Sequence, residues 1–387
     1  MGTMWPPTPS RAHRWDGMHG ISSQALAIDC FVFALAVFVG FELITKVPAI
    51  LHTPLMSATN AIHGIVLVGA ITVAAFVHDT ISNTIAVLAV FLGTLNVVGG
   101  FVVTDRGMTG NPPAWVIFTY IVTAMLFVIA IKRLRTVGGA RTGNRLAMVG
   151  MAVALIVILQ QAGFDNWYLI FPPMALGAVI GAVAARRVRM TAMPQMVAVF
   201  NGMGAGAAAL IAADDFRRLD SLGGVPRIDA VTILLSCMIG AIGFAGSMVA
   251  FGKLQELISG RPLVYPLQKP INAAILATII VLGVIIVAKG GGIELFIAFA
   301  ALSFILGPLF VLPIGGADMP VVISLLNSFT GVAAAITGFV LDNQVLVVSG
   351  ALVGASGTVL TQLMSKAMNR PLTNILFGAF GGGPAAA

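Results

Sequence analysis

Apolar residues run along this chain in long unbroken blocks, separated by short segments rich in glycine, proline, arginine and aspartate. Twelve blocks stand out, at roughly 24–44, 54–76, 81–103, 114–131, 146–161, 167–185, 195–213, 230–251, 271–288, 293–312, 319–341 and 344–364. A run of about 20 residues, rising 1.5 Å per residue as a helix, spans a hydrocarbon core of about 30 Å. The block 146–161 is short for that task. None of the blocks alternates apolar with polar residues, which excludes a membrane β-barrel. The pattern predicts an all-α integral membrane protein, a polytopic bundle of about 12 transmembrane helices.

Composition agrees: of 387 residues, 58% are hydrophobic and only 9% charged, against about 25% charged in soluble domains. The net charge of +7 suggests nucleic acid until its placement is considered. If the twelve spans alternate, one face holds the N-terminus, 132–145, 186–194, 252–270 and the C-terminus, with 15 of the 21 Lys and Arg residues. The other face holds six, among them Lys46, Arg217, Arg218 and Arg227. The positive-inside bias then places both termini in the cytoplasm; a bacterial cytoplasmic (inner) membrane is the expected location, and no nucleic-acid partner is expected.

The punctuation suggests units. Residues 1–23 lack the layout of a cleaved signal peptide and read as a disordered cytoplasmic tail. Thr104 to Trp115 (TDRGMTGNPPAW) carries Gly107, Gly110, Pro112 and Pro113, which marks 106–113 as a linker on the outer face. It divides a three-helix unit, 24–105, from a nine-helix unit, 114–381, followed by a flexible tail, 382–387. Cys30 and Cys237 read as apolar packing residues rather than a disulfide framework. The glycine pairs Gly177–Gly181 and Gly350–Gly354 and the run Gly202, Gly204, Gly206 fit close helix contact in lipid, or space for water and movement. There is no P-loop, no GxGxxG between strand and helix, no CxxC and no HExxH, so neither a metal nor a dinucleotide is expected on this chain.

Polar groups at bilayer depth carry the chemistry. His63, within 54–76, is an ionisable imidazole where burying charge is costly and where a proton can be exchanged near neutral pH. It reads either as a proton relay or as a neutral histidine bonded between helices. Asn60, three residues earlier, faces a similar direction and suits a supporting role. Asn201 and Asn327 approach the membrane middle from two further helices, either gluing helices together or ordering a water. Asp318 precedes Met319 and Pro320 at a helix start; it suits a cap or an acid at a pathway mouth. Asp29 and Glu42 read as snorkelling side chains, Asn83 and Asn96 as packing.

Several of these runs resemble one family. The segment ILHTPLMSATNAIH (Ile50 to His63) is similar to the membrane part of the alpha subunit of proton-translocating NAD(P)+ transhydrogenase. RMTAMPQMVAVFNGMGAGAAAL (Arg189 to Leu210), AFGKLQELI (Ala250 to Ile258), PIGGADMPVVISLLNSFTG (Pro313 to Gly331), GALVGASG (Gly350 to Gly357) and KAMNR (Lys366 to Arg370) resemble the membrane part of its beta subunit. The likeness covers roughly 24–105 and 114–381. It implies that His63 is the channel histidine, that Asn201 occupies the position where other members carry theirs, and that Asn327 and Asp318 belong to the proton pathway. It further implies that Gly357, Lys366 and Arg370 surround the exit where the membrane part meets the NADP(H) domain.

The expected function is therefore proton conduction, coupling inward proton movement to hydride transfer from NADH to NADP+. The resemblance implies that NAD(H) and NADP(H) sit on partner domains, that the bundle is a homodimer, and that separate chains supply both nucleotide domains unless the sequence is a membrane-only piece. The alternative is a stand-alone secondary transporter, which predicts an inverted repeat and a charged substrate site; neither is visible.

Overall fold

The computed structural model describes residues 23–44, 59–60, 62, 64–76, 79–100, 114–134, 136, 138–162, 167–341, 343–369 and 371–372. Among the described residues, twelve α-helices of eleven or more residues follow the predicted blocks. They are α1 (Ser23–Ile44), α2 (Val66–Phe76), α3 (Thr80–Gly100), α4 (Ala114–Leu134), α5 (Ala140–Ala162) and α6 (Trp167–Arg187). The chain continues through α7 (Met193–Ser221), α8 (Arg227–Leu254), α9 (Gln268–Lys289), α10 (Ile293–Val311), α11 (Met319–Val340) and α12 (Gln344–Ala367). Among the described residues, nine helices are long and apolar enough to cross a membrane. The protein is an all-helical polytopic membrane protein.

Three boundaries moved. The short block at 146–161 belongs to a full-length helix, because Arg141 to Arg145 are helical too. Helix α7 has 29 residues, about 43 Å, so its charged end DDFRRLDS extends past a 30 Å core. Before α2, the bonds Ile65 N to Ile62 O, Leu67 N to Gly64 O and Val68 N to Ile65 O close tight three-residue turns. The continuous helix expected over 54–76 is thus interrupted at Gly64, a residue with poor helix propensity.

The deepest packing lies among α7, α8, α11 and α12, where small residues bring backbones together. A side-chain carbon added at Gly331 would lie 2.6 Å from the Gly354 backbone nitrogen, and one at Gly240 would lie 2.7 Å from the Ala205 carbonyl. Gly177 lies against α3 in the same way, 2.8 Å from the Phe91 carbonyl. Glycine here serves close helix contact.

The direction of the helices differs from strict alternation. The end of the bundle where α7 starts and α8 finishes, joined by Gln195 to the Leu254 carbonyl, is the basic end. Lys132, Arg133, Arg141, Arg145, Arg186, Arg187, Arg189, Lys253, Arg261, Lys269 and Lys366 gather there, against Arg217, Arg218, Arg227 and Lys289 at the opposite end. Asp79, at the start of α3, pairs with Arg217 near the end of α7, so α3 begins at the opposite end and runs to the basic one. Strict alternation had put these two segments on different faces. On α1, Phe33 packs on Phe339 near the end of α11, whereas Gly40 meets Leu352 and Ala355 further down α12. Hence α1 runs parallel to α12, and the expectation that both chain ends share a face fails for the described helices. Helices α3 and α4 are also co-directional, a break in alternation that apolar run lengths do not reveal. Asp29 is buried rather than snorkelling, and Cys30 is exposed rather than packed.

Candidate functional site

Three amide pairs lie inside the bundle. Asn201 follows the start of α7 by eight residues and Asn327 follows the start of α11 by eight, so both lie about 12 Å in from the basic end. Asn201 donates through Nδ2 to Ser247 Oγ on α8 at 2.9 Å. The backbone approach of α7 to α8 makes this short reach possible. Asn327 donates to Thr59 Oγ1 at 2.9 Å, tying α11 to the segment before α2. Next to Thr59, Asn60 donates to Asn96 Oδ1 on α3 at 3.0 Å, and Asn96 returns a longer bond to the Asn60 carbonyl at 3.4 Å. The relative accessibility of Asn96, Asn201 and Asn327 is 0%. The Oδ1 atoms of Asn60, Asn201 and Asn327 are buried and accept no hydrogen bond among the described residues. A buried acceptor left in that state costs about 1–3 kcal/mol. Three such oxygens, on neutral groups from separate segments, are buried polar sites capable of ordering water or receiving a proton donor.

The structure therefore brings Asn60, Asn201 and Asn327 inside the bundle. His63 lies outside the described residues, flanked by Ile62 and Gly64 at the interruption before α2. Asp318 closes a single 3₁₀ turn, Gly316–Asp318, at the basic end and stands at the N-cap position of α11, where its side chain makes no capping hydrogen bond. Sequence reasoning missed Thr59 and Ser247 and read Asn96 as packing. Amides paired across helices were the available signal, but pairing needs the three-dimensional arrangement.

A second seam runs from Asn327 towards the end of α12. A carbon added at Gly357 would lie 2.9 Å from the Cα of Ser328, the neighbour of Asn327. Ser328 donates to the Gly354 carbonyl at 2.5 Å and shares a 2.7 Å bond with Thr358, while Thr361 donates to Ser324 at 3.0 Å. Lys366 stands exposed beyond this seam at the basic end. Arg370 lies outside the described residues.

The opposite end holds charges instead. Arg217 bridges Asp79 at 2.6 Å, lies 3.9 Å from Asp214 and also donates to Ser82. Ser82 donates in turn to the buried Asp214. Arg218 pairs with the buried Asp215 at 2.9 Å.

The described residues contain no strand. No group of His, Cys, Asp or Glu suited to a metal ion occurs among them either.

Comparison with known proteins completes the picture. A family model described as NAD(P) transhydrogenase beta subunit matches residues 116–387. A second, the 4TM region of pyridine nucleotide transhydrogenase, matches 29–110. The chain is 44% identical over 275 residues to NAD(P) transhydrogenase subunit beta of Rhodospirillum rubrum, covering 69% of this chain and 59% of that protein. It is 49% identical over 75 residues to NAD(P) transhydrogenase subunit alpha of Cereibacter sphaeroides, covering 19% of this chain and 14% of that protein. The chain thus spans less than two thirds of the length of each relative. With a beta-subunit match over most of its length, it belongs to the NAD(P) transhydrogenase beta subunit family.

Proposed function

We propose that this chain is the proton-conducting membrane part of a proton-translocating NAD(P) transhydrogenase. Inward proton movement through it is coupled to hydride transfer from NADH to NADP+ on separate NAD(H)- and NADP(H)-binding domains. The observation that carries the reading is the amide cluster: Asn60, Asn201 and Asn327, each with a buried open oxygen, in a chain of this family. A stand-alone transporter leaves that family membership unexplained and is not favoured.

In this reading 24–105 is the alpha-subunit-like unit and 114–381 the beta-subunit-like unit, joined by 106–113. The basic end faces the bacterial cytoplasm, which puts the start of α1 at the outer face. His63 takes up a proton, Asn201 and Asn327 order water beside it, Asn60 supports it, and Asp318 receives the proton at the cytoplasmic mouth. Gly357, Lys366 and Arg370 transmit the state of the NADP(H) domain along α12. The working unit is a homodimer that binds no nucleotide on this chain.

The test is proton uptake into proteoliposomes holding the chain, before and after adding family nucleotide-binding domains with NADH and NADP+. Uptake that requires both domains and both nucleotides is expected, and His63→Ala lowers it at least tenfold without loss of assembly. No uptake with demonstrably docked domains would overturn the proposal.

A further inference from the structure

Lys253 has so far played no part. It lies one residue before the end of α8, at 2% accessibility. A buried ammonium is retained only where its donors are met. Here Nζ donates to three backbone carbonyls: Leu312 at 2.5 Å, Ile314 at 2.7 Å and Arg261 at 3.3 Å. Two of these follow α10 and the third belongs to the loop after α8. The ammonium thus sits where the last carbonyls of α10 concentrate negative charge.

The two loops are stitched together around it. Leu263 N donates to the Leu312 carbonyl at 3.0 Å, and Gly316 N donates to the Gly260 carbonyl at 2.7 Å. Gly316 opens the 3₁₀ turn that ends at Asp318. Six residues back along α8 is Ser247, the hydrogen-bond partner of Asn201. One helix end therefore fixes both the Asn201 pair and the loop that presents Asp318.

We infer that Lys253 is a positioning residue of the proton pathway: its ammonium holds the 312–318 loop, and with it Asp318, in register with the α7–α8 pair. This rests on the proton-conducting reading above. Without the ammonium, three carbonyls lose their donor and the loop pair keeps only its two direct backbone bonds. Asp318 then leaves the place where it meets the proton.

The test compares proton uptake, in proteoliposomes with nucleotide-binding domains docked, for the unaltered chain, Lys253→Met, Asp318→Asn and the double variant. On the same membranes, disulfide formation between cysteines placed by Gly260→Cys and Gly316→Cys, with Cys30 and Cys237 replaced by serine, reports loop register. Lys253→Met is expected to lower uptake at least tenfold and to slow cross-linking several-fold. The double variant is expected to be no worse than Asp318→Asn alone, because both changes act through one group. Should Lys253→Met fail to assemble, Lys253→Gln, which keeps two donors, carries the comparison with a smaller loss. Unchanged uptake in either variant, unchanged cross-linking, or losses that multiply in the double variant would overturn the inference. Absence of uptake in the unaltered chain removes the proposed function as well, so the two failures are distinguishable.

Discussion

The amide cluster near the basic end and the ionic network at the opposite end solve the same problem in different ways. Both bury polar groups between helices, and both join the segment around α2 and α3 to the nine helices that follow. At the opposite end the groups are charged and paired: Arg217 meets Asp79, Asp214 and Ser82, and Arg218 meets Asp215. Inside the bundle the groups are neutral amides; open polar atoms occur in both regions, at Oδ1 of Asn60, Asn201 and Asn327 inside and at Asp215 Oδ2 and Arg217 Nε at the ionic end, so charge is what separates them. The ionic end lies beside water, but Asp214 and Asp215 are themselves buried, so each full charge is kept there with a cation beside it. At depth an unmatched charge is far more expensive than an amide, so a permanent ion is replaced by groups that interact with a proton in transit. The ionic network should then matter for stability and the amide cluster for transport.

The largest expected effect sharpens that contrast at its strongest point. Asn327→Leu removes the amide, leaves Thr59 without this partner, and keeps the volume nearly constant. Coupled proton uptake in the reconstituted system is expected to fall at least tenfold. The stability cost is that of one lost hydrogen bond to Thr59, about 0.5–1.5 kcal/mol. Uptake within twofold of the unaltered chain would separate Asn327 from the pathway.

Next in size is Gly357→Leu, which attacks the cluster from outside. The new side chain meets the backbone of Ser328 rather than a movable side-chain tip, so α11 and α12 must separate beside Asn327. Overpacking of this kind costs about 1–3 kcal/mol, and coupled uptake is expected to drop several-fold. Gly357→Ala should fall between. If both variants transported as well as the unaltered chain, the α11–α12 contact would carry no coupling.

How much of this was legible in advance follows from what each signal encodes. Apolar run length encodes helices, and all twelve were readable, including where α11 begins, because Asp318 and Pro320 mark a helix start. Run length does not encode direction. The basic bias is carried by residues between Lys132 and Lys366, after the third helix, and Arg11, Arg14 and Lys46 are too few to orient the first three. Strict alternation therefore went wrong there, and the Asp79–Arg217 pair corrects it. Asn201 and Asn327 were readable because an amide is conspicuous in an apolar block. Asn96 was equally conspicuous but uninformative until Asn60 was seen opposite it. Lys253 was hidden because a lysine at a helix end ordinarily reaches water, and its burial depends on two distant loops.

The ionic end supplies the converse of the first prediction. Arg217→Gln leaves the buried Asp214 carboxylate without its nearest cation, which is expected to cost about 1–3 kcal/mol. Thermal unfolding in detergent should register that loss, while proton uptake stays within twofold. A large loss of uptake from Arg217→Gln, with stability unchanged, would reverse the division between the two regions.

The smallest effect is a pH dependence of that same end. Burial pushes the Asp79 carboxyl up, but the Ser82 backbone N–H, the Arg217 guanidinium and the Ser82 hydroxyl together hold it below the usual carboxylate range. A carboxyl lowered in the folded state contributes stability that is present above its unfolded pKa, about 3.9, and is lost as pH falls through the folded value. Asp79→Asn should therefore unfold at a slightly lower temperature than the unaltered chain at pH 7, and the gap should close below about pH 4. Because Asp79 is half exposed and salt screens it, the gap should also narrow in high salt. A gap that persists unchanged into acid would mean that the Asp79 side chain contributes through packing rather than charge, and would leave Asp214 as the only carboxylate that Arg217 serves.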